Sequence, residues 1–211
     1  MKVELERVAP MEIEERSFEL IERELPHPLD PALAPIIKRV IHATADFDYA
    51  DSLCFTEGAV DAGQDALRRG AVIVTDTTMA QAGINKRALA RFGGETRCFI
   101  AEPSVAEAAR ARGVTRSAAA VDLAAEIDRP LIFAIGNAPT ALARLYELIM
   151  DERIAPRLVI GVPVGFVNVA QSKELILSAP VPSIVARGRK GGSNVAAAIC
   201  NALLYMIGGR E

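Results

Sequence analysis

Apolar positions along this chain repeat with two different periods, and the change of period near residue 70 divides it into two parts. From about residue 10 to residue 25, Ile13, Phe18 and Ile21 recur at helical spacing, which predicts an amphipathic helix. Pro26-His27-Pro28 ends it, because each proline lacks a backbone donor and disfavours helix in the residue before it. A second helix is predicted to begin at Asp30-Pro31, a capping carboxylate followed by a first-turn proline. It carries Leu33, Ile36, Ile37, Val40 and Ile41 toward His42. Residues 55–69 suit a third helix, opening at Thr56-Glu57-Gly58.

Beyond that point short, continuous apolar runs recur at residues 71–75, 96–100, 130–135, 158–162 and 183–186. Helical patterns over 105–111, 117–127, 138–150, 168–177 and 194–206 separate them. A strand that is apolar at every position is covered on both faces, and alternation with helices points to a parallel sheet. The pattern predicts one α/β domain over residues 1–211: a doubly wound, mainly parallel sheet with helices on both faces. A mainly helical N-terminal region, residues 1–69, precedes the alternating part.

In such sheets ligands sit beyond the carboxyl ends of the strands. The loops that leave the predicted strands therefore carry the candidate chemistry. They read Asp76-Thr77-Thr78-Met79, Gly136-Asn137-Ala138-Pro139-Thr140, Pro163-Val164-Gly165-Phe166 and Arg187-Gly188-Arg189-Lys190-Gly191-Gly192-Ser193.

Composition excludes several classes. Net charge is −3, with 24 Lys and Arg against 27 Asp and Glu, so no basic face for nucleic acid is expected. No run approaches the ~20 apolar residues of a membrane span, and the charged N-terminus has no apolar signal core. A cytoplasmic protein with no membrane association is the expectation. Cys54, Cys98 and Cys200 are scattered and read as buried free thiols. Two distant histidines and no paired ligand motif give no expectation of a protein-bound metal.

Two loops read as anion cradles. In the segment from Arg187 to Ser193, glycines allow close backbone approach, the next helix adds its positive end, and Arg187, Arg189 and Lys190 add charge. A solvated glycine-rich turn is the bland alternative. At Gly136-Asn137, with Pro139 and Thr140 following, free N–H groups suit a carboxylate, and plain capping is the equal alternative. Gly165 and Phe166 are expected to wall the same cleft. Arg116 and Ser117 open a helix, where arginine grips a carboxylate bidentately or remains an ordinary surface residue. The same two readings apply to Lys86 and Arg87. His27, between prolines, is expected to face solvent without a role. His42 has the side chain suited to proton donation near neutrality, and Asp46 and Asp48 are expected to raise its pKa; a structural histidine is the alternative.

Taken together, six segments resemble the precorrin-8X methylmutase family, also called cobalt-precorrin-8 methylmutase. They are IHATADFDYA at 41–50, TDTTMAQAGI at 75–84, TRSAAA at 115–120, AIGNAPTAL at 134–142, GVPVGFVNVAQSKE at 161–174 and ARGRKGGSNVAAA at 186–198. The resemblance spans nearly the whole chain. It implies an isomerase that moves a methyl group from carbon eleven to carbon twelve of a macrocycle, giving hydrogenobyrinic acid or its cobalt counterpart, cobyrinic acid. It implies no cofactor, because the methyl group is already on the substrate and any cobalt arrives inside the ring. It also implies an α/β fold and a homodimer with active sites near the interface. The family's catalytic acid falls on His42. Ser17 matches a position lining the ring pocket, and Asn85 stands where some relatives carry a hydroxyl residue. The many carboxylates of such a substrate assign Arg116, Arg187, Arg189, Lys190 and the turn from Gly136 to Thr140 to binding, with Lys86, Ser117, Gly191, Gly192 and Ser193 beside them. A tetrapyrrole carrier without activity is the competing reading. A nucleotide-binding enzyme is disfavoured, because neither glycine-rich nucleotide fingerprint is present.

Overall fold

The structure, a computed structural model, describes residues 8–10 and 12–208. Residues 1–7, part of the charged N-terminal stretch read above, lie outside the described residues, as do Met11 and residues 209–211.

Six strands form one sheet in the order β1-β6-β5-β4-β2-β3. They are β1 (Leu53–Phe55), β2 (Val72–Thr75), β3 (Glu95–Arg97), β4 (Leu131–Ile135), β5 (Leu158–Gly161) and β6 (Ser183–Ala186). Every pairing is parallel except β1 with β6. Around the strands run α1 (Ile13–Glu24), α2 (Ala34–Thr44), α3 (Tyr49–Ser52), α4 (Ala59–Arg68), α5 (Thr78–Gly83) and α6 (Lys86–Ala90). They are followed by α7 (Pro103–Arg112), α8 (Arg116–Ala124), α9 (Pro139–Met150), α10 (Val169–Ser178) and α11 (Ser193–Gly208). Among the described residues no helix is long and apolar enough to cross a membrane.

The continuous apolar runs serve two cores at once. Ile73, Ile132, Ala134, Ile160 and Ile184 join one cluster, with residues of α2, α4 and α11. Their neighbours Val72, Val74, Phe133, Ile135, Val159 and Val185 join the other, with residues of α8, α9 and α10. Successive side chains of a strand point to opposite faces, so strands covered on both sides are apolar at nearly every position; the exceptions, Thr75 ending β2 and Ser183 opening β6, are buried. The doubly wound expectation holds.

The boundaries differ in three instructive places, the first being the predicted strand at 96–100: β3 covers Glu95–Arg97 at the sheet edge, and residues 98–100 lie outside it. The second helix does not start at Pro31. Asp30 instead accepts from the Ala32 amide at 2.8 Å, and α2 starts at Ala34 with Pro35 in its first turn. A start at Pro31 would have put Pro35 in the second turn, where its missing donor and its ring break the ladder. The predicted helix over 55–69 loses its first residues, because Leu53–Phe55 pairs with β6 and the left-handed Gly58 (φ 69°) precedes α4.

From β2 the chain runs outward to β3, then returns to the other side of β2 as β4 and continues through β5 to β6. The direction of winding therefore reverses between β2 and β4. Open α/β sheets have their binding crevice at such a reversal, beyond the strand ends.

Candidate active site

At the reversal, Asp76 leaves β2 buried, and its two carboxylate oxygens accept three amides of the loop after β4. Gly136 donates at 2.9 Å, Asn137 at 2.8 Å and Ala138 at 2.6 Å. Burial pushes this carboxyl above its ordinary value, and the amide donors act against that shift. The expectation that the Gly136 and Asn137 amides hold a substrate carboxylate is thus corrected: a carboxylate of the protein itself occupies them. Thr140 is engaged as well, accepting from the Thr115 hydroxyl at 2.8 Å. That bond brings the start of α8, with Arg116 and Ser117, to the same end of the sheet. Arg116 is exposed, and no carboxylate pairs with it among the described residues.

The other strand-exit loops close onto this keystone. Thr77, whose hydroxyl caps α5 by accepting from Ala80, shares a 2.8 Å hydrogen bond with the Ser193 hydroxyl. The Gly192 amide donates to Val162 at 2.8 Å, and the Gly165 amide donates to Arg189 at 3.1 Å. Gly191 and Gly136 sit where no side chain fits. A β-carbon on Gly191 would lie 2.1 Å from the Val162 carbonyl oxygen, and one on Gly136 would lie 2.7 Å from the Ser193 Cα.

Beneath the loop from Arg187 to Ser193 lies Lys173 of α10, fully buried, donating to the carbonyls of Gly188 at 2.9 Å and Lys190 at 2.7 Å. Burial lowers its pKa to about 8. Sequence reading missed it, although its place on the buried face of α10 between Val169 and Ile176 was the available signal.

The cations of this loop are less free than expected. Arg187 pairs with Glu174 at 3.2 Å. Lys190 pairs with Asp46 at 2.7 Å and Asp48 at 2.5 Å, which hold its pKa above the ordinary value. Arg189 has no carboxylate partner among the described residues, and its guanidinium lies 5.4 Å from the centre of the Phe166 ring. Phe166 and Val167 are 82% and 76% exposed, and Met79 is 71% exposed. The strand ends therefore present broad apolar surface beside a charge that is not neutralised.

His42 lies in the last turn of α2. Its helix end is fastened to the loop after β6 by the Lys190 pairs and by Asn194, which donates to the Ala43 carbonyl at 3.5 Å. The imidazole is exposed, with its ring centre 5.4 Å from that of Phe18, and among the described residues neither ring nitrogen has a hydrogen-bond partner. Its pKa is lowered, first by burial and then by the Arg39 charge. The expectation that Asp46 and Asp48 raise it is overturned, because both carboxylates turn to Lys190.

The remaining candidates divide. Ser17 precedes Phe18 on α1 and donates to the Ile13 carbonyl at 2.7 Å. Asn85 caps α6 by accepting from Ala88 and donates to the Tyr205 hydroxyl at 3.3 Å, so both ends of its amide already have partners. Lys86 and Arg87 are exposed on α6. His27 is exposed but not idle, with Asp51 at 2.7 Å and a raised pKa, the Pro28 carbonyl contributing most and Asp51 next. All three cysteines are free, and Cys200 alone is buried. Among the described residues no group of three or more His, Cys, Asp or Glu side chains is placed to hold a metal ion.

The family model for precorrin-8X methylmutase matches residues 12–206. The chain belongs to the precorrin-8X methylmutase family. Its members are isomerases of corrin synthesis, intramolecular methyl transferases in cobalamin production. Similarity is high throughout. The cobalt-precorrin-8 methylmutase of Salmonella typhimurium is 56% identical over 84% of this chain and 83% of its own length. The precorrin-8X methylmutase of Pseudomonas aeruginosa is 41% identical over 81% and 83%. The structure of the Thermus thermophilus precorrin-8X methylmutase superposes with a TM-score of 0.85, at 43% identity over 93% of this chain and 96% of that one.

Proposed function

We infer that this chain moves a methyl group from carbon eleven to carbon twelve of a precorrin-8X-type macrocycle, with His42 as the general acid. The observation that carries this reading is the exposed imidazole, without a hydrogen-bond partner among the described residues, at the strand-exit end where Arg189 and Arg116 have no carboxylate partner among those residues. A flat ring with carboxylate arms fits the surface there: apolar faces against Phe166 and Met79, carboxylates toward the arginines. The product is hydrogenobyrinic acid, or cobyrinic acid where the ring carries cobalt. Cobalt would come as part of the substrate, and no further cofactor is needed because the migrating methyl is already on the ring.

At rest His42 favours its neutral form, since burial and Arg39 both oppose the proton. Carboxylates of a docked substrate act in the opposite direction and draw a proton onto the imidazole. Donation to the ring makes it electron-poor and eases the shift. Substrate and product are isomers, so a proton lent to the ring is returned. A positioned acid contributes about 10²–10⁴-fold, and holding the ring in a reactive shape contributes further. We read the working unit as a homodimer with the site near its interface, supported by the apolar side chains left exposed around the site. A cytoplasmic setting agrees with three free thiols.

The test is His42→Ala, offered both metal-free and cobalt-loaded substrate and followed by visible spectrum. The variant is expected to bind the ring and leave it unisomerised. Turnover equal to that of the unaltered chain overturns the role of His42, and ring binding without turnover by the unaltered chain would make it a carrier.

A further inference from the structure

Three side chains from three helices form a column behind the imidazole. The Arg39 guanidinium lies over two rings, 4.8 Å from the centre of Phe18 and 5.3 Å from that of Tyr205. Phe18 in turn carries the His42 ring at 5.4 Å, tilted by 32°. Arg39 belongs to α2, as His42 does, and stands three residues earlier, so both project from one face of the helix. Glu14 of α1 pairs with Arg39 and fixes it from the outside. The Arg39 side chain is 16% exposed, so its charge is screened far less than that of a surface arginine.

We propose that Arg39 is the positioning residue of His42: packed over Phe18 and Tyr205, it holds the ring on which the imidazole rests and keeps a fixed positive charge one helical turn behind it. A cation is an unexpected neighbour for a group that must take up a proton. It makes sense where the proton is to be held only with substrate present. Arg39 keeps the empty site neutral at position 42. The carboxylates of an arriving ring reverse the local field, so protonation and docking become coupled.

The charged and titratable groups around α2 are few. They are Lys38 and Arg39 on α2, Glu22 and Glu14 on α1, which pair with them in turn, Tyr49 on α3, Tyr205 on α11, and Asp46, Asp48 and Lys190 beyond its carboxyl end. Lys190 offsets one of the two aspartate charges, and both carboxylates point at the lysine rather than at the imidazole. Arg39 is the neighbour whose charge acts on His42, and it acts against protonation. The carboxyl end of α2 has the opposite sense, since helix C-termini favour a cationic imidazole, and burial with Arg39 outweighs it.

The proposal rests on the reading of His42 as the acid, yet its test separates the two. The chain has two histidines, so the imidazole signals in a proton NMR titration reduce to two, and His42→Ala assigns them. Without any substrate, Arg39→Gln is expected to make His42 bind its proton several-fold more tightly, while His27, paired with Asp51, serves as the unmoved control. Arg39→Lys keeps the charge without the planar stack and is expected to restore most of the original titration. In turnover, the alkaline limb of the pH profile, where the acid loses its proton, should move with the NMR value. An unchanged His42 titration in a folded Arg39→Gln variant overturns the proposal. If Arg39→Gln does not fold, Tyr205→Leu, which removes one of the two rings, must shift the same titration, and no shift there overturns it equally. A shifted titration in a protein without isomerase activity would remove the proposed reaction and leave the coupling standing.

Discussion

The Asp76 carboxylate meets the Gly136 amide at 2.9 Å across the boundary where β2 and β4 wind in opposite directions. An open α/β sheet commonly leaves amides there for a ligand. Here a side chain of the protein closes the crevice, and the ligand surface is displaced outward to the loops above it.

Replacement of Asp76 by Asn should therefore unsettle the whole floor of the site. The amide nitrogen of Asn would face donors, leaving at least one buried N–H without an acceptor, a loss of about 2 kcal/mol or more. For a chain of this size that lowers the thermal midpoint by about 4–8 °C. Calorimetry of Asp76→Asn checks it, and an unchanged midpoint would mean that these bonds contribute nothing net.

Lys173 gives stability an unusual pH dependence. Its folded pKa is about 8, below the ordinary lysine value of 10.5, so between those limits the unfolded chain holds more proton than the folded one. Stability then rises with pH in that window and is lost again as pH falls through 8. The full difference is on the order of 3 kcal/mol. Urea unfolding of the unaltered chain and of Lys173→Met, compared at pH 8 and pH 10, should show the gap moving in favour of the unaltered chain. A pH-independent gap contradicts this.

Two neighbouring cations should differ sharply in binding. Arg189 is unpaired among the described residues, whereas Lys190 is held by Asp46 and Asp48. We expect Arg189→Ala to weaken binding of the corrin product by about tenfold, the size of a charge-assisted contact. Lys190→Ala should weaken it by less than ~threefold, because removing that cation also frees two aspartates from a pair of little net worth. Titration of each variant, followed by absorbance, decides between them; equal losses would show that the aspartates give way to substrate.

Much of this was legible in the chain. The strands β2, β4, β5 and β6 were apparent because a doubly covered strand is apolar at nearly every position, with only Thr75 and Ser183 at strand ends as exceptions. The three-residue strand β1 was not, because its identity depends on a partner far along the chain. The site was legible by position and not by partnership. Asp46 and Asp48 follow His42 closely and look like its companions, but Ala45 ends α2 in a left-handed turn (φ 53°) and aims the loop at Lys190. Asp76 was in view as a loop residue, and only the fold reveals that the loop opposite is its partner. Arg39 gave no sign at all, since a cation over two aromatic rings is created by three helices meeting.

That meeting has an outcome for how the protein is made. Thr56 bonds to Ser183, 127 positions downstream, and Ala43 meets Asn194, 151 positions downstream. A nascent chain leaving the ribosome therefore exposes the apolar side of α2 until the strands have been made and α11 follows to cover it. Long-range closure of this kind is slow and leaves unfinished chains prone to association. The histidine flank is thus translated well before the helix that completes it.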